Sequence, residues 1–280
     1  MSTLSVPAPR RGVLTRGLAF AGRHALTVYA ALALLYLLVP IGVVALFSFN
    51  APLGRFNYTW QGFTLENWTR PFGVPGLLEA MTTSLQVAVL SMAVSTALGT
   101  MIALALVRYR FRARGTTNLL IFLPMATPEV VLGASLLALF LNLGVSRGFW
   151  TIVVAHIMFN ISFVVVTVKA RLVGFDRSLE EAAMDLGATP WVTFTRVTLP
   201  LIAPAIIAGG LIAFALSVDD FVITNFNAGQ TVTFPIYVWG AARVGVPPQV
   251  NVMGTIIFLV AVGLMLANVV FQSRRVKGAS

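Results

Sequence analysis

The sequence predicts an all-α membrane protein with six transmembrane helices and both termini in the cytoplasm. Of its 280 residues, 58% are hydrophobic and 10% are charged, against roughly 25% charged in an ordinary soluble domain. Apolar runs of about 20 residues, the length that a helix needs to cross the hydrocarbon core, recur along the chain. Basic residues concentrate in alternate connections between these runs, which is the positive-inside pattern.

The apolar runs define the order of elements. Residues 1–24 are predicted to form a cytoplasmic N-terminal segment, 25–272 the transmembrane domain and 273–280 a cytoplasmic tail. The first run follows a long basic segment and lacks a clear cleavage site, so we expect it to be retained as a helix. The six predicted spans are 25–49, 78–107, 119–143, 149–169, 201–221 and 252–272.

The net charge of +10 follows the predicted topology. Fifteen of the nineteen basic residues lie on the predicted inner side: Arg10, Arg11, Arg16, Arg23, Arg108, Arg110, Arg112, Arg114, Lys169, Arg171, Arg177, Arg196, Arg274, Arg275 and Lys277. The four others lie in the opposite loops: Arg55, Arg70, Arg147 and Arg243. The alternating arginines from 108 to 114 also suit nucleic acid, but their position between two spans favours topology anchoring, and no nucleic-acid partner is predicted.

Two segments depart from simple spans. Pro124 and Pro128 interrupt the third run, which predicts a broken helix packed against protein or lining a wet cavity. Residues 222–250 are too rich in glycine, proline and polar residues for a span and too apolar for a free loop. We expect this segment to form a re-entrant or surface-hugging element on the outer side.

An acidic island, EEAAMDLGATPWVTFTRVTLP, occupies residues 180–200. Helical spacing gathers four residues on one face and leaves Glu180, Glu181 and Asp185 away from it: Leu179, Ala182, Ala183 and Leu186. Gly187 is expected to stop this helix, and Thr189 with Pro190 to begin a second one that ends near Pro200. The island can lie along the bilayer surface, but its acidic charge and small residues favour a groove in another protein.

The spacing within the island resembles a known motif. Glu181-Ala182-Ala183, three residues, Gly187, nine residues and then VTLP are similar to the EAA loop of permease subunits in binding-protein-dependent ABC importers. This resemblance implies the type I importer fold, with residues 171–200 as a loop that docks on a separate ATPase subunit. The residues it assigns to coupling are Glu180, Glu181, Ala182, Ala183, Asp185, Gly187, Leu199 and Pro200.

The chain lacks a phosphate-binding G-x-x-x-x-G-K-[ST] motif, so it is not expected to bind nucleotide or to be an enzyme. The resemblance implies that ATP and magnesium are bound by the partner ATPase. The chain also has no cysteine, so neither a disulfide nor a thiolate metal site is predicted, and no cofactor is expected in this chain.

A narrower resemblance covers the chain from about Pro124 onward. The stretches PMATPEVVLGASLL, SVDDFVITNF and ARVGVPPQVN are similar to the second permease subunit of spermidine/putrescine-type importers. It implies a bacterial inner-membrane protein that forms a pore with a homologous permease, two ATPase copies and an extracytoplasmic solute-binding protein. The solute stays open: a polyamine is expected, with iron, an aminophosphonate or another amine as alternatives.

Three acidic residues are candidates for a cation pathway, because ionisable groups within a membrane are costly. Glu129 follows Pro128 near the middle of the third span, where it can meet an ammonium group or stay structural beside freed backbone amides. Asp219 and Asp220 end the fifth span and can form a negative outer mouth. Alternatively they are a solvated helix terminus or bind Arg243.

Other polar and aromatic residues carry weaker signals. Tyr237 and Trp239, with Phe234, can stack on a solute or simply pack. His156 and Asn160 suggest a proton relay, but a lone histidine in a span more often makes a helix–helix hydrogen bond. A proton-coupled carrier and a non-transporting scaffold are the competing classes, and the absence of inverted repeats together with the EAA-like loop argues against the carrier.

Overall fold

The computed structural model describes residues 13–277, with side chains for 24–263 and for Leu266. The chain divides into two compact units: Val74–Gly245, and the residues up to Gly73 together with those from Val246 onward. Parts of the predicted charge pattern lie outside the described residues or side chains: Arg10, Arg11, Arg16, Arg23, Arg274, Arg275 and Lys277, together with the termini 1–12 and 278–280.

The regular elements of the described residues are helices, with one isolated antiparallel bridge between Asn50 and Phe63. The helices in chain order are α1 (Val13–Phe47), α2 (Glu66–Thr69), α3 (Leu77–Arg108), α4 (Arg114–Ala126), α5 (Glu129–Asn142), α6 (Phe149–Val173), α7 (Ser178–Asp185), α8 (Pro190–Thr193), α9 (Leu199–Asp219), α10 (Val222–Asn227), α11 (Phe234–Val244) and α12 (Pro248–Lys277). A π-helical segment, Phe194–Thr198, joins α8 to α9.

Within the described residues, four stretches are long and apolar enough to cross a bilayer: His24–Phe47, Leu77–Arg108, Phe149–Val173 and Pro190–Asp219. They fall on the first, second, fourth and fifth predicted spans. The predicted sixth span, 252–272, falls on α12, whose described apolar part, Pro248–Gly263, is shorter than a crossing. Six crossings therefore stay a prediction.

The third predicted span is two helices. Neither α4 nor α5 is long enough to cross a bilayer alone, and the two helices are bent by 109° at the break between them. The predicted interruption of the run 119–143 is confirmed at Pro128, whereas Pro124 lies within α4. The chain turns at Thr127, which is extended at φ −84° and ψ 133°, because a residue before proline is pushed out of the helical region.

Residues 222–250 contain two short helices, α10 and α11, and the beginning of α12. The prediction that this segment is not a simple span is confirmed. Thr233 is extended before α11, and Pro235 stands near the start of that helix, where its missing N–H costs no hydrogen bond.

The core of the unit Val74–Gly245 lies where α3, α6 and α9 pack together. Its fully buried side chains include Leu106 of α3, Val164 of α6 and Ile202 of α9. Helices in a bilayer gain affinity for one another chiefly by close approach at small residues. At Gly99 the approach is close enough that a Cβ atom would lie 2.7 Å from Cγ1 of Val164 and 3.3 Å from the carbonyl oxygen of Ile161.

In the other unit, the loop after α1 is held by two asparagine side chains. Asn50 donates from Nδ2 to Asn57 Oδ1 at 2.6 Å and accepts from the amide of Gln61 at 2.8 Å. Asn67 donates to the carbonyl oxygens of Ser48 and Asn50 at 3.0 and 2.9 Å. These bonds satisfy loop backbone groups that would otherwise be buried without partners.

Replacing Gly99 by leucine should lower the stability of the protein. The added side chain cannot fit against Val164 without separating α3 from α6, and overpacking of this kind costs about 1–3 kcal/mol. The measurement is the melting temperature of the purified protein in detergent. Gly42→Leu is the control, since a Cβ atom there meets nothing within 4 Å; equal melting temperatures for the two variants would contradict the close α3–α6 contact.

Candidate functional site

The acidic island folds as a helix, a glycine turn and a second helix, as predicted. The carboxylate of Asp176 accepts the amide of Ser178 at 3.0 Å at the start of α7, and this bond lowers the pKa of Asp176. α7 ends at Asp185, and Gly187, two residues later, has a φ of +88° in the left-handed region. The amides of Gly187 and Ala188 donate to the carbonyls of Met184 and Ala183 at 2.9 and 3.0 Å, which is the Schellman ending that favours glycine.

The second helix of the island begins as expected but continues farther. Thr189 is extended, its hydroxyl accepts the amide of Val192 at 3.4 Å, and Pro190 is the first helical residue. The predicted end near Pro200 is wrong, because the helical path continues from the π-helical segment directly into α9, of which Pro200 is the second residue. The π-helical turn before it, with the Leu199 amide bonded to the Phe194 carbonyl, changes the hydrogen-bond ladder where proline has no N–H to donate.

The two faces of α7 differ in what they contact. Leu179 is 47% exposed and Leu186 is 91% exposed. Ala182 lies between them on the same side and is also exposed, whereas Ala183 is half-buried. Three of the four predicted apolar residues therefore form a strip that faces away from the rest of the chain. We call this strip, Leu179, Ala182 and Leu186, the outer strip of α7.

The acidic residues of the island do not share one environment. Glu181 and Asp185 are exposed. The side chain of Glu180 is only 15% exposed and forms an ion pair with Arg108, the last residue of α3. The same Glu180 oxygen accepts the hydroxyl of Thr198. Leu199 is half-buried and Pro200 exposed at the start of α9, so neither lies on α7 itself.

The second candidate region is the corner after α9, where Asp219 and Asp220 have different environments. Asp219, the last residue of α9, is exposed. Asp220 points inward, and its side chain is 6% exposed. Its Oδ2 accepts the amide and the hydroxyl of Thr224, both at 2.7 Å, and its Oδ1 accepts the amide of Ile223 at 3.3 Å. The prediction of two carboxylates facing a common outer mouth is therefore wrong for Asp220.

His156 completes the environment of Asp220. Its Nε2 lies 3.2 Å from Asp220 Oδ2 and 2.9 Å from Thr224 Oγ1, and its side chain is 3% exposed. The expected helix–helix hydrogen bond of this histidine is thus observed, between α6 and the corner that begins α10. Arg243, the predicted alternative partner of the two aspartates, instead lies 4.8 Å from the ring centroid of Trp239.

The sequence suggested that Asn160 pairs with His156. Instead, Asn160 joins a second polar cluster one turn along α6. Its Nδ2 donates to Ser217 Oγ at 2.8 Å and to the carbonyl oxygen of Ala213 at 3.2 Å. The hydroxyls of Ser217 and Ser91 are 2.9 Å apart. This cluster connects α3, α6 and α9, and it could not be predicted from the sequence because isolated serines in apolar runs carry no pattern.

The first turn of α5 packs on α10, the helix that follows the same corner. Glu129 is the first residue of α5 and is exposed, a position where the helix dipole favours a carboxylate. One turn later, Gly133 packs on α10 so closely that a Cβ atom would lie 2.7 Å from the ring of Phe226. Asn227 of α10 also donates to the carbonyl oxygen of Gly133 at 3.4 Å. The start of α5 and the acidic corner thus belong to one packed assembly.

The three aromatic residues of α11 that are candidates for stacking on a solute differ in their contacts, and the side chains of two of them are anchored within the chain. The ring centroids of Trp239 and Phe221 lie 5.1 Å apart, so Trp239 stands beside the corner while staying 50% exposed. The hydroxyl of Tyr237 donates to the carbonyl oxygen of Pro75 at 3.3 Å. Phe234 contributes its backbone amide, which donates to Ser84 Oγ at 2.8 Å. Among the described side chains, no three His, Cys, Asp or Glu residues gather in a way that could hold a metal ion.

Comparison with known proteins gives a consistent family match. Residues 95–277 match the model of the binding-protein-dependent transport system inner membrane component. The chain is 38% identical to the spermidine/putrescine transport system permease protein PotC of Escherichia coli K12 over 87% of this chain and 92% of that protein. It is 39% identical to the putrescine transport system permease protein PotI of the same organism, over 82% of this chain and 84% of that one.

Among solved structures, the chain is similar in fold to a bacterial ABC transporter involved in the import of the acidic polysaccharide alginate. The TM-score is 0.64 at 18% identity, with 95% of this chain and 99% of that chain covered. An amino acid ABC transporter solved with histidines gives a TM-score of 0.56 at 16% identity, covering 76% of this chain and all of the other.

The buried pair of His156 and Asp220 yields a stability prediction. His156→Leu should lower the melting temperature in detergent, because it leaves the buried carboxylate of Asp220 without the imidazole that contacts it, and an uncompensated buried charge is strongly destabilising. Adding Asp220→Asn should recover much of the loss, since asparagine keeps an acceptor for the α10 amides and leaves no buried charge.

Asp219→Asn serves as the matched control for this pair and should leave the melting temperature near that of the wild type, because Asp219 is exposed. Additive losses in the double variant would contradict the contact between His156 and Asp220.

Proposed function

The chain belongs to the family of binding-protein-dependent transport system inner membrane components, and from this premise we propose that it forms half of the transmembrane pathway of an ATP-driven polyamine importer. The observation that carries the proposal is α7, a helix whose outer strip has no partner among the described residues although it lies in a loop of the EAA type. The named substrates of the relatives, spermidine and putrescine, support the choice of solute.

The coupling region is residues 171–200, with α7 as the part that docks. Its outer strip supplies apolar contact, and exposed Glu181 and Asp185 supply polar contact at the edge of that strip. Ala182 permits close approach to a groove, and Gly187 sets the direction of the chain toward α8. When the ATPase displaces α7, Leu199 and Pro200 transmit this displacement to α9, because the helix from Pro190 to Asp219 has no break.

The groove belongs to the partner, an ATPase dimer. This dimer binds ATP and magnesium, since the present chain has no phosphate-binding loop of its own. A homologous permease forms the other half of the pathway, and an extracytoplasmic solute-binding protein delivers the solute. Loaded binding protein outside and ATP inside jointly favour the outward-facing state, and hydrolysis restores the inward-facing one. The chain thus contributes the pathway and the coupling surface without catalysis or cofactor.

The protein lies in the bacterial inner membrane. We assign it six crossings with cytoplasmic termini: a segment 1–24, the transmembrane domain 25–272 and a tail 273–280. The support is the charge pattern together with four apolar helices and one bent pair among the described residues. In this arrangement the bent pair of α4 and α5 makes the third crossing, and α12 makes the sixth.

Within the pathway, the solute contacts are assigned to Asp219 and Glu129. Both carboxylates are exposed in the isolated chain, so they are available to an ammonium group. Trp239 beside the corner offers a ring face to a cation or an alkyl segment, and Tyr237 fixes the position of α11. Asp220 holds the corner itself, because its oxygens are occupied by His156 and the start of α10.

Gly187→Val should uncouple ATP hydrolysis from transport. A β-branched residue at φ +88° is strained, so the turn must rearrange and α7 leaves its docking position. Gly187→Asn should be milder because asparagine tolerates the left-handed region, and Gly174→Val, at φ −89° with open space around it, is the control. The measurement is uptake together with ATPase activity of the reconstituted complex. Full uptake by Gly187→Val would refute the role of the turn.

Asp219→Asn and Glu129→Gln should each reduce uptake of radiolabelled spermidine and putrescine by cells that express the complete transporter, while the complex still assembles. The physical reason is the lost attraction between a carboxylate and an ammonium group. Asp220→Asn tests a different role and should act mainly on stability. If the wild type moves neither polyamine, the assignment of the solute falls and the cognate binding protein must be screened for its ligand.

A further inference from the structure

The coupling helix α7 has few means of staying in place. At eight residues it is too short to be stable in isolation. None of its residues is buried, and Leu179 and Met184 are 47% and 45% exposed. Burial of apolar surface therefore contributes little to its position, and polar contacts must hold it against the spanning helices.

Glu180 provides the strongest of these contacts. Its Oε1 atom accepts hydrogen bonds from Arg108 Nη2 and from Thr198 Oγ1. Arg108 ends α3, and Thr198 is a fully buried residue at the end of the π-helical segment that leads into α9. The same Arg108 nitrogen lies 3.4 Å from the Thr198 hydroxyl. One carboxylate oxygen therefore joins α7 to two different transmembrane helices.

We propose that Glu180 is a positioning residue that links the coupling helix to α3 and α9, and that it does not contact the ATPase. This inference rests on the proposed function of the loop and changes the role assigned to Glu180 within it. When the partner displaces α7, the link makes α3 and α9 follow. Because α3, α6 and α9 form the packed core of the unit, the displacement then reaches the pathway.

The covalent connections of α7 are less suited than Glu180 to transmit a displacement of α7 to α3 and α9. On one side α7 is joined to α6 through Gly174, and on the other to α8 through the turn at Gly187, and glycine permits the chain to pivot. A second contact, from Arg177 Nη2 to the carbonyl oxygen of Val107, is longer at 3.4 Å. A charge-assisted hydrogen bond to a carboxylate that is mostly shielded from water is the stronger connection. Without it, α7 can tilt on its two hinges while α3 stays in place.

The first test compares Glu180→Ala, Arg108→Ala and the double variant in the reconstituted complex. Each should retain the ATPase subunits and hydrolyse ATP, while the solute imported per ATP falls about tenfold. The double variant should be no worse than the single ones, because both single variants remove the same link. Arg110→Ala, which removes an equal charge from the same loop without a described partner, should resemble the wild type.

Two outcomes would overturn the proposal. Loss of the ATPase subunits from the Glu180→Ala complex would make Glu180 a docking contact, and unchanged import per ATP would make the ion pair dispensable. A structural role alone would lower assembly and hydrolysis together, whereas the proposed link lowers import at constant hydrolysis.

A second measurement does not depend on the identity of the solute. Because the chain has no cysteine, spin labels can be attached at Ser178→Cys and Tyr109→Cys, two exposed positions on α7 and just after α3. In the assembled complex the distance between the labels should stay constant when ATP and vanadate are added, and it should change when Glu180→Ala is present. A change already in the wild type refutes the link. If the wild type imports no polyamine but its label distance is constant, only the solute assignment fails.

Discussion

The close packing of α3, α6 and α9 is the constraint on which the other features depend. Helices in a bilayer have no water to exclude from between them, so their association requires small residues and polar contacts. Gly99 allows the backbone of α3 to approach Val164 of α6. Asn160 of α6 donates a hydrogen bond to Ser217 of α9, which connects a second pair of these helices. Both candidate regions adjoin these three helices: α6 leads into the loop that contains α7, and α9 leads from that loop to the corner at Asp219 and Asp220.

A second rule explains why neighbouring acidic residues have different roles. A carboxylate that turns into the protein must be paired, because an unpaired buried charge is strongly destabilising. Asp220 meets this requirement through His156 and the start of α10, while Asp219 stays exposed. In α7, Glu180 turns toward Arg108 while Glu181 faces outward. Inward residues hold each region in shape, and outward residues are available to a partner or a solute.

The polar contacts also connect the broken third helix to the corner. The chain bends between α4 and α5, where a lipid-exposed break would leave backbone groups without partners. The asparagine of α10 that donates to Gly133 and the ring of Phe226 against the same glycine hold the start of α5 in place. This packing fixes the first turn of α5 against α10, while Pro128 and Glu129 at the break itself stay exposed.

The sequence by itself determined the features that depend on short-range chemistry. Apolar runs defined four spans and one interrupted span, Gly187 formed the turn after α7, and Thr189 with Pro190 began the next helix, because each depends on residues close in the sequence. Only the tertiary structure decided that the helix continues through Pro200, that α4 and α5 bend by 109°, and that Glu180 and Asp220 turn inward. Their partners, Arg108 and His156, lie 72 and 64 positions away in the chain. Contacts over that separation arise only when helices pack, and the pattern within one helix does not record them.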